Sequence, residues 1–147
     1  MQRRTPASLE DLVARAGGDL RTIPEPGEWS AFDCIAHLVD AEIVMSGRYR
    51  WILAHDQPEL PGYDQDSWVS HLHAPDEPVA EVIGLFGALR RANLALWEAS
   101  DDQQRARTGL HRERGLESYD LCFRMIAGHD RFHLAQAERT LALVRQS

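Results

Sequence analysis

An all-α helical bundle is the fold class this sequence predicts, and three observations lead to it. Four segments repeat apolar residues at helical spacing, stretches rich in proline and glycine separate them, and no convincing set of strands competes. Such helices bury their apolar faces most economically against one another, which gives a four-helix bundle in one domain spanning residues 1–147. A chain of this length can bury about two-thirds of its unfolded surface, enough for a core without staples.

The first helix is read over residues 8–20, with Leu9, Leu12, Val13 and Ala16 on one face, Ser8 as N-cap, and Glu10 and Asp11 in the dipole-favoured first turn. The loop RTIPEPGEW ends it. Ser30 caps a second helix that runs to about residue 55, before Pro58. This helix is apolar on more than one face, and the surplus face predicts a homodimer. The connection QPELPGYDQDSW reads as an ordered loop with a short helix near residues 66–71, pinned by Tyr63 and Trp68. It is long for a bundle, where about 2 to 8 residues is usual, which makes residues 57–68 a candidate lid. The third helix starts near Pro78 and ends near residue 100, with Val82, Leu85, Phe86, Leu89, Leu96 and Trp97 facing the core. A polar link, DDQQRARTGLHRERG, leads to the last helix, residues 118–145.

Composition narrows the partners. The net charge of −7 and pI near 5.4 repel a phosphate backbone, and the arginines form no stripe, so nucleic acid is not an expected partner. No apolar run approaches the ~20 residues that span a bilayer, and MQRRTPASLEDLV turns acidic before an export signal could form. Cys34 and Cys122 both sit in apolar helical patterns and read as buried free thiols. The expected location is the cytoplasm.

The chemistry concentrates in the last helix, in AGHDRFHLAQAERTL. His129 and His133 are four residues apart and stack on one face. Helical rotation puts Cys122, Met125, Ile126, Gln136, Ala137 and Val144 on that face too, so both imidazoles point inward. Burying them costs desolvation unless each nitrogen finds a partner, and a metal ion supplies one for each ring. His37, set among Cys34, Ala41 and Val44 in SAFDCIAHLVDAEIV, is the candidate third ligand. Taken singly it is more often a hydrogen-bonded core histidine. Three imidazoles on one divalent cation leave positions open for water or substrate, the arrangement of catalytic sites. Zinc or nickel suits such ligands best, with iron, copper and manganese as alternatives. Protons should displace the ion as pH falls through about 6.5, the ordinary histidine range.

Four segments occur together in a familiar order: GEWSAFDCIAHLVDAE, LPGYDQDSW, TGLHRERGLES and HDRFHLAQ. In order and spacing they resemble the DinB-like superfamily, which includes YfiT-type metal-dependent hydrolases. The resemblance covers residues 29–141. It implies an up-down-down-up four-helix bundle holding a metal through one histidine of the second helix and two of the last, which match His37, His129 and His133. It also implies frequent homodimers, and activities that include transfer of low-molecular-weight thiols.

The other polar residues divide between chemistry and structure. Gln136 either orients a histidine ring or a metal-bound water, or makes a plain interhelical hydrogen bond. Asp40 and Asp130 read as solvated helix residues rather than bases. Cys34 reads as a packing thiol before a nucleophile. Asp64 and Asp66 either reach over the metal or serve as turn and cap residues. His71 and His73 point apart on a helix, His55 suits a helix C-terminus, and His111 receives no role. HDRFH resembles the zinc-peptidase helix H-E-x-x-H with aspartate for glutamate, but no strand array lines a peptide cleft. Two function classes follow. One is a metal-dependent hydrolase or thiol transferase acting on a small-molecule electrophile; the other is a non-catalytic metal- or ligand-binding stress-response protein.

Overall fold

The computed structural model describes residues 1–146. Helix α1 (Thr5–Ala16) continues into a 3₁₀ turn (Gly17–Arg21), and the chain then enters α2 (Ala31–Ala54). Strand β1 (Glu59–Leu60) and α3 (Gln65–Leu72) form the connection to α4 (Val79–Ala99). After α5 (Asp102–Ala106), a hairpin of β2 (Thr108–His111) and β3 (Gly115–Ser118) leads into α6 (Tyr119–Val144).

Local chemistry accounts for the helix ends. Ser30 Oγ accepts from the Asp33 backbone N–H while the Asp33 carboxylate accepts from the Ser30 N–H, a reciprocal cap that starts α2. Ser118 and Asp64 cap α6 and α3 in the simpler way. The start of α1 differs from the sequence reading. Pro6 occupies its first turn, so the helix begins at Thr5 and Ser8 lies inside it, its hydroxyl on the Arg4 carbonyl.

Helix α2 is the centre of the molecule. It packs most extensively on α6 and α4 and also meets α3, the 3₁₀ turn and β2. Most of its apolar surface is therefore covered within the chain, although Ile43 and Trp51 stay 40% and 43% exposed. One apolar cluster gathers Leu9, Leu12, Ile35, Leu38, Phe86 and Leu141, and another Tyr49, Ile52, Leu60, Tyr119, Cys122 and Phe123. Trp97 stacks flat on Phe123, with ring centroids 4.1 Å apart. On α4 the inward stripe is Val82, Phe86, Arg90 and Asn93, and Leu85, expected inside, is 46% exposed. An arginine takes a core position because its partners are buried with it.

Those partners lie on two of the other long helices. Arg90 is 1% exposed and donates to Glu42 of α2 at 2.7 Å and to Asp130 of α6 at 2.6 Å. Asp130 also accepts from Thr5 Oγ1 of α1 at 2.7 Å, and Asn93 donates to Glu42 and Ser46. Asp130 and Asp40 are thus buried, at 0% and 2% exposure, where the sequence suggested solvated residues. A charged residue that pairs across helices carries no local mark of doing so.

The polar link is not a plain loop. Residues 108–118 make an antiparallel hairpin, and β1 joins β2 in parallel, pairing Glu59 with Leu110 and Leu60 with His111. Gly109 permits this approach, since a Cβ there would lie 2.7 Å from Leu60 side-chain atoms. The small sheet corrects the expectation of helices alone. Strands of two to four residues are too short to show alternation, and their pairing is partly long-range.

Removing Arg90 should be costly because two carboxylates would remain buried without a counter-charge. Arg90→Ala is expected to lower unfolding stability by about 3–5 kcal/mol in urea titrations. A loss below ~1 kcal/mol would show that the network does not bind the helices together.

Candidate metal centre

His37 projects from the middle of α2, and His129 and His133 from successive turns of α6. One ligand atom from each lies within 4.8 Å of the other two. The rings form a near-regular triangle, with centroids 4.4, 4.5 and 4.8 Å apart. The Nε2 atoms of His37 and His129 are 2.8 Å apart. All three residues that the sequence singled out are therefore brought together.

The donor set suits a divalent cation. Gln136 Oε1 lies 2.8 Å from His133 Nδ1 and accepts its proton, which leaves Nε2 of that ring with a free lone pair. The Nδ1 atoms of His37 and His129 are buried and without a hydrogen-bond partner among the described residues, where each ring bonds only to the other. Burial, reinforced by the neighbouring imidazoles, lowers the His37 pKa to about 3 and that of His129 to about 4; burial lowers His133 as well. His37 and His129 are thus neutral well below pH 6.5, and protons compete for their lone pairs only in more acid solution than the ordinary histidine range.

Aromatic side chains enclose the triangle. Trp29 lies 5.2 Å from His37 and 6.2 Å from His133, Tyr63 lies 6.4 Å from His37, and Phe132 packs edge-on to His133 at 4.9 Å. Tyr63 also contacts Trp68, 4.9 Å away, within the connection after α2. Two spaces open on the histidines. A cavity of about 280 Å³ is lined by His37, His129, Ala41, Met45, Arg48 and Tyr63, among others. A wider cleft of about 460 Å³ is lined by His133, Gln136, Trp29, Phe132 and Asp66.

Other sequence candidates lie elsewhere or do other work. Asp130, the aspartate of HDRFH, is turned to Arg90 and Thr5, which removes the peptidase base from consideration. Cys34 and Cys122 are free and buried, and desolvation pushes both thiols up to about 12. Asp64 caps α3. His55 is the residue at which α2 ends. His111, buried in β2, accepts from the Glu113 backbone N–H. His73 bridges Asp40 at 3.0 Å and Glu77 at 2.7 Å, tying the end of α3 to α2. Burial works against its charge, but the two carboxylates outweigh burial and raise its pKa. Burial raises the pKa of Asp40. Trp29, Arg48 and Arg114 were not singled out by sequence. Trp29 precedes the α2 cap directly, the one local signal that pointed to it.

Fold and site together define a helical bundle with three neutral histidines gathered between two of its helices. The DinB superfamily model matches residues 1–137, and the chain belongs to that superfamily. The Oceanobacillus iheyensis protein called "Putative metal-dependent hydrolase OB0413" is 24% identical over 118 residues. That alignment covers 79% of this chain and 66% of the relative, so the chain spans just under two-thirds of its length. A solved structure with the same fold is YfiT from Bacillus subtilis, described as a probable metal-dependent hydrolase with an unusual four-helix bundle topology. It superposes with a TM-score of 0.87 at 21% identity, covering 99% of this chain and 82% of the other. Among the described residues no helix is long and apolar enough to cross a membrane.

The lowered histidine pKa values have a signed consequence. As pH falls from about 6.5 toward 4, unfolded chains take up protons that folded His37 and His129 refuse, so folding stability falls with pH. Metal-free protein should therefore lose melting temperature across that window. The slope should flatten in a His37→Gln, His129→Gln double variant. Equal slopes in the two proteins would contradict the burial of neutral rings.

Proposed function

We propose that His37, His129 and His133 hold one divalent metal ion and that the protein is a metal-dependent enzyme acting on a small-molecule electrophile, as a hydrolase or low-molecular-weight-thiol transferase. The observation that carries this reading is the triangle of neutral imidazoles facing two open spaces. The names carried by the similar proteins agree with it. A bound cation would supply Lewis acidity, making water or a thiol nucleophilic near neutral pH or polarising the group under attack.

The chain's own residues do the rest. Gln136 fixes the His133 tautomer, and Trp29, Phe132 and Tyr63 set aromatic faces and edges beside the rings. No carboxylate joins the histidines among the described residues that gather there. This keeps the sensor-like binding protein as the second reading, since the nucleophile must then lose its proton to solvent or substrate. Zinc or nickel is the proposed metal, chosen on ligand type.

The proposal extends to architecture. We read residues 1–147 as one domain with up-down-down-up topology. Contacts between α2 and α4 advance together, Glu42 with Arg90 and Arg50 with Asn93. Those between α2 and α6 run in opposite senses, His37 with His133 and Tyr49 with Phe123. For a homodimer, the outward-facing Leu110 and Leu116, paired across the hairpin, offer an apolar surface. A sedimentation mass that stays monomeric at every concentration would remove that part of the reading.

The functional test begins with metal analysis of protein purified without a histidine tag. A stoichiometry near one is expected, lost in the His129→Ala, His133→Ala double variant. Loaded protein would then be assayed on esters, amides, epoxides and halogenated electrophiles, with and without thiols. Thiol-dependent turnover selects transferase, thiol-independent turnover selects hydrolase, and tight binding without turnover selects the sensor. Activity that survives loss of all three histidines would overturn the mechanism.

A further inference from the structure

The cavity that opens on His37 and His129 ends in a buried cation without an anion. Arg48 lies on α2, eleven positions beyond His37, and is 5% exposed. Only two of its N–H groups find acceptors. One goes to the Pro61 carbonyl oxygen at 2.6 Å, and the other makes a weak contact with the Met45 sulfur at 3.7 Å. Its Nε is buried with no hydrogen-bond partner among the described residues. Among the described residues, no carboxylate comes within ion-pair distance of it. Glu117, the carboxylate whose field reaches it, is bound through both oxygens to Arg114. Arg114 lines the same cavity, but Glu117 offsets its charge, so the net positive charge there is that of Arg48. Burial first, and then repulsion from Arg114, lowers the Arg48 pKa.

Among the described residues the other strongly buried charges are matched: Arg90 by Glu42 and Asp130, Glu117 by Arg114, and Asp40 by His73. An unmatched guanidinium costs folding free energy, and a cavity wall is where such a cost serves a ligand. The middle of the cavity is apolar, formed by Ala41, Met45, Met125 and Ile126. Eleven residues of helix correspond to about 16 Å of rise, and an arginine side chain leans back toward the helix N-terminus, which shortens the span. One small group cannot touch both ends.

We propose that this cavity is a substrate subsite in which Arg48, assisted by Arg114, binds the carboxylate tail of an elongated small molecule whose apolar chain lies along Met45 and Ile126 and whose reacting end faces His37 and His129. The assignment rests on the reading of the histidines as the reacting centre. It adds the substrate class, a carboxylic acid with an apolar spacer. Arg48 is the specificity determinant, and the reason is charge rather than shape.

The test uses full-length, metal-free protein, so that a carboxylate cannot bind through an ion. Hexanoate and its neutral isostere hexanamide are titrated by calorimetry and by NMR of the methionine methyl groups. Hexanoate should bind at least tenfold more tightly, shifting Met45 and Met125. Arg48→Gln should abolish the preference, and Arg48→Lys should keep part of it. The proposal is overturned by equal affinity for acid and amide, by shifts lying outside the cavity, by no binding at millimolar hexanoate, or by a folded Arg48→Gln variant that retains the full preference. If that variant does not fold, the acid–amide comparison and the shift map on the unaltered protein still decide. Zinc uptake by the same preparation separates the two readings. Uptake without hexanoate selectivity removes only the subsite, whereas selectivity without uptake removes the metal reading and leaves the anion site.

Discussion

The constraint on which the rest of the structure depends is the burial of Arg90 between Glu42 and Asp130. A buried ion pair adds little net stability over an apolar replacement, but its hydrogen-bond geometry tolerates no slip. With Thr5 and Asn93 it draws groups from all four long helices to one point. Asp130 follows His129 directly, and Glu42 lies five residues beyond His37. A displacement of α6 by one turn would therefore separate the carboxylate from Arg90 and the histidines from each other together. The register that satisfies the charges is the register that assembles the imidazole triangle.

The second wall of the site comes from outside the bundle. The connection after α2 would be a free span but for the pairing of β1 with β2, which places Pro61 against Arg48 and carries Tyr63 toward His37. The hairpin that receives β1 also delivers Arg114 to the same cavity. At the far end of the connection, His73 is held by Asp40 and Glu77 against α2. Long connections in a bundle are costly to order, and this one is ordered by backbone pairing at one end and charge at the other.

The electrostatics divide cleanly by place. Charge is matched inside the bundle, removed from the histidines by burial, and left unmatched at Arg48. A net charge of −7 sums over the whole chain, while the cavity beside the histidines is locally positive through Arg48. The overall balance that argues against nucleic acid as a partner therefore says nothing about the charge preference of the interior.

What the sequence by itself determined was local or periodic. The four long helices follow from apolar spacing, the start of α2 from Ser30 and Asp33, and the inward pairing of His129 with His133 from their four-residue interval. His37 was legible because a polar residue stood in an apolar stretch. What only the tertiary structure decided depends on partners distant in the chain. Arg90 and Asp130 look like surface residues until the 40 positions that separate them are folded away. The strand pairs β1 and β2 are too short to declare themselves, and Leu85 faces solvent because Arg90 and Asn93 set the rotation of α4. Arg48 becomes informative only when its lack of a carboxylate can be seen. Periodicity records which face a residue occupies; charge compensation and cavity shape are properties of pairs, and no single stretch of chain contains them.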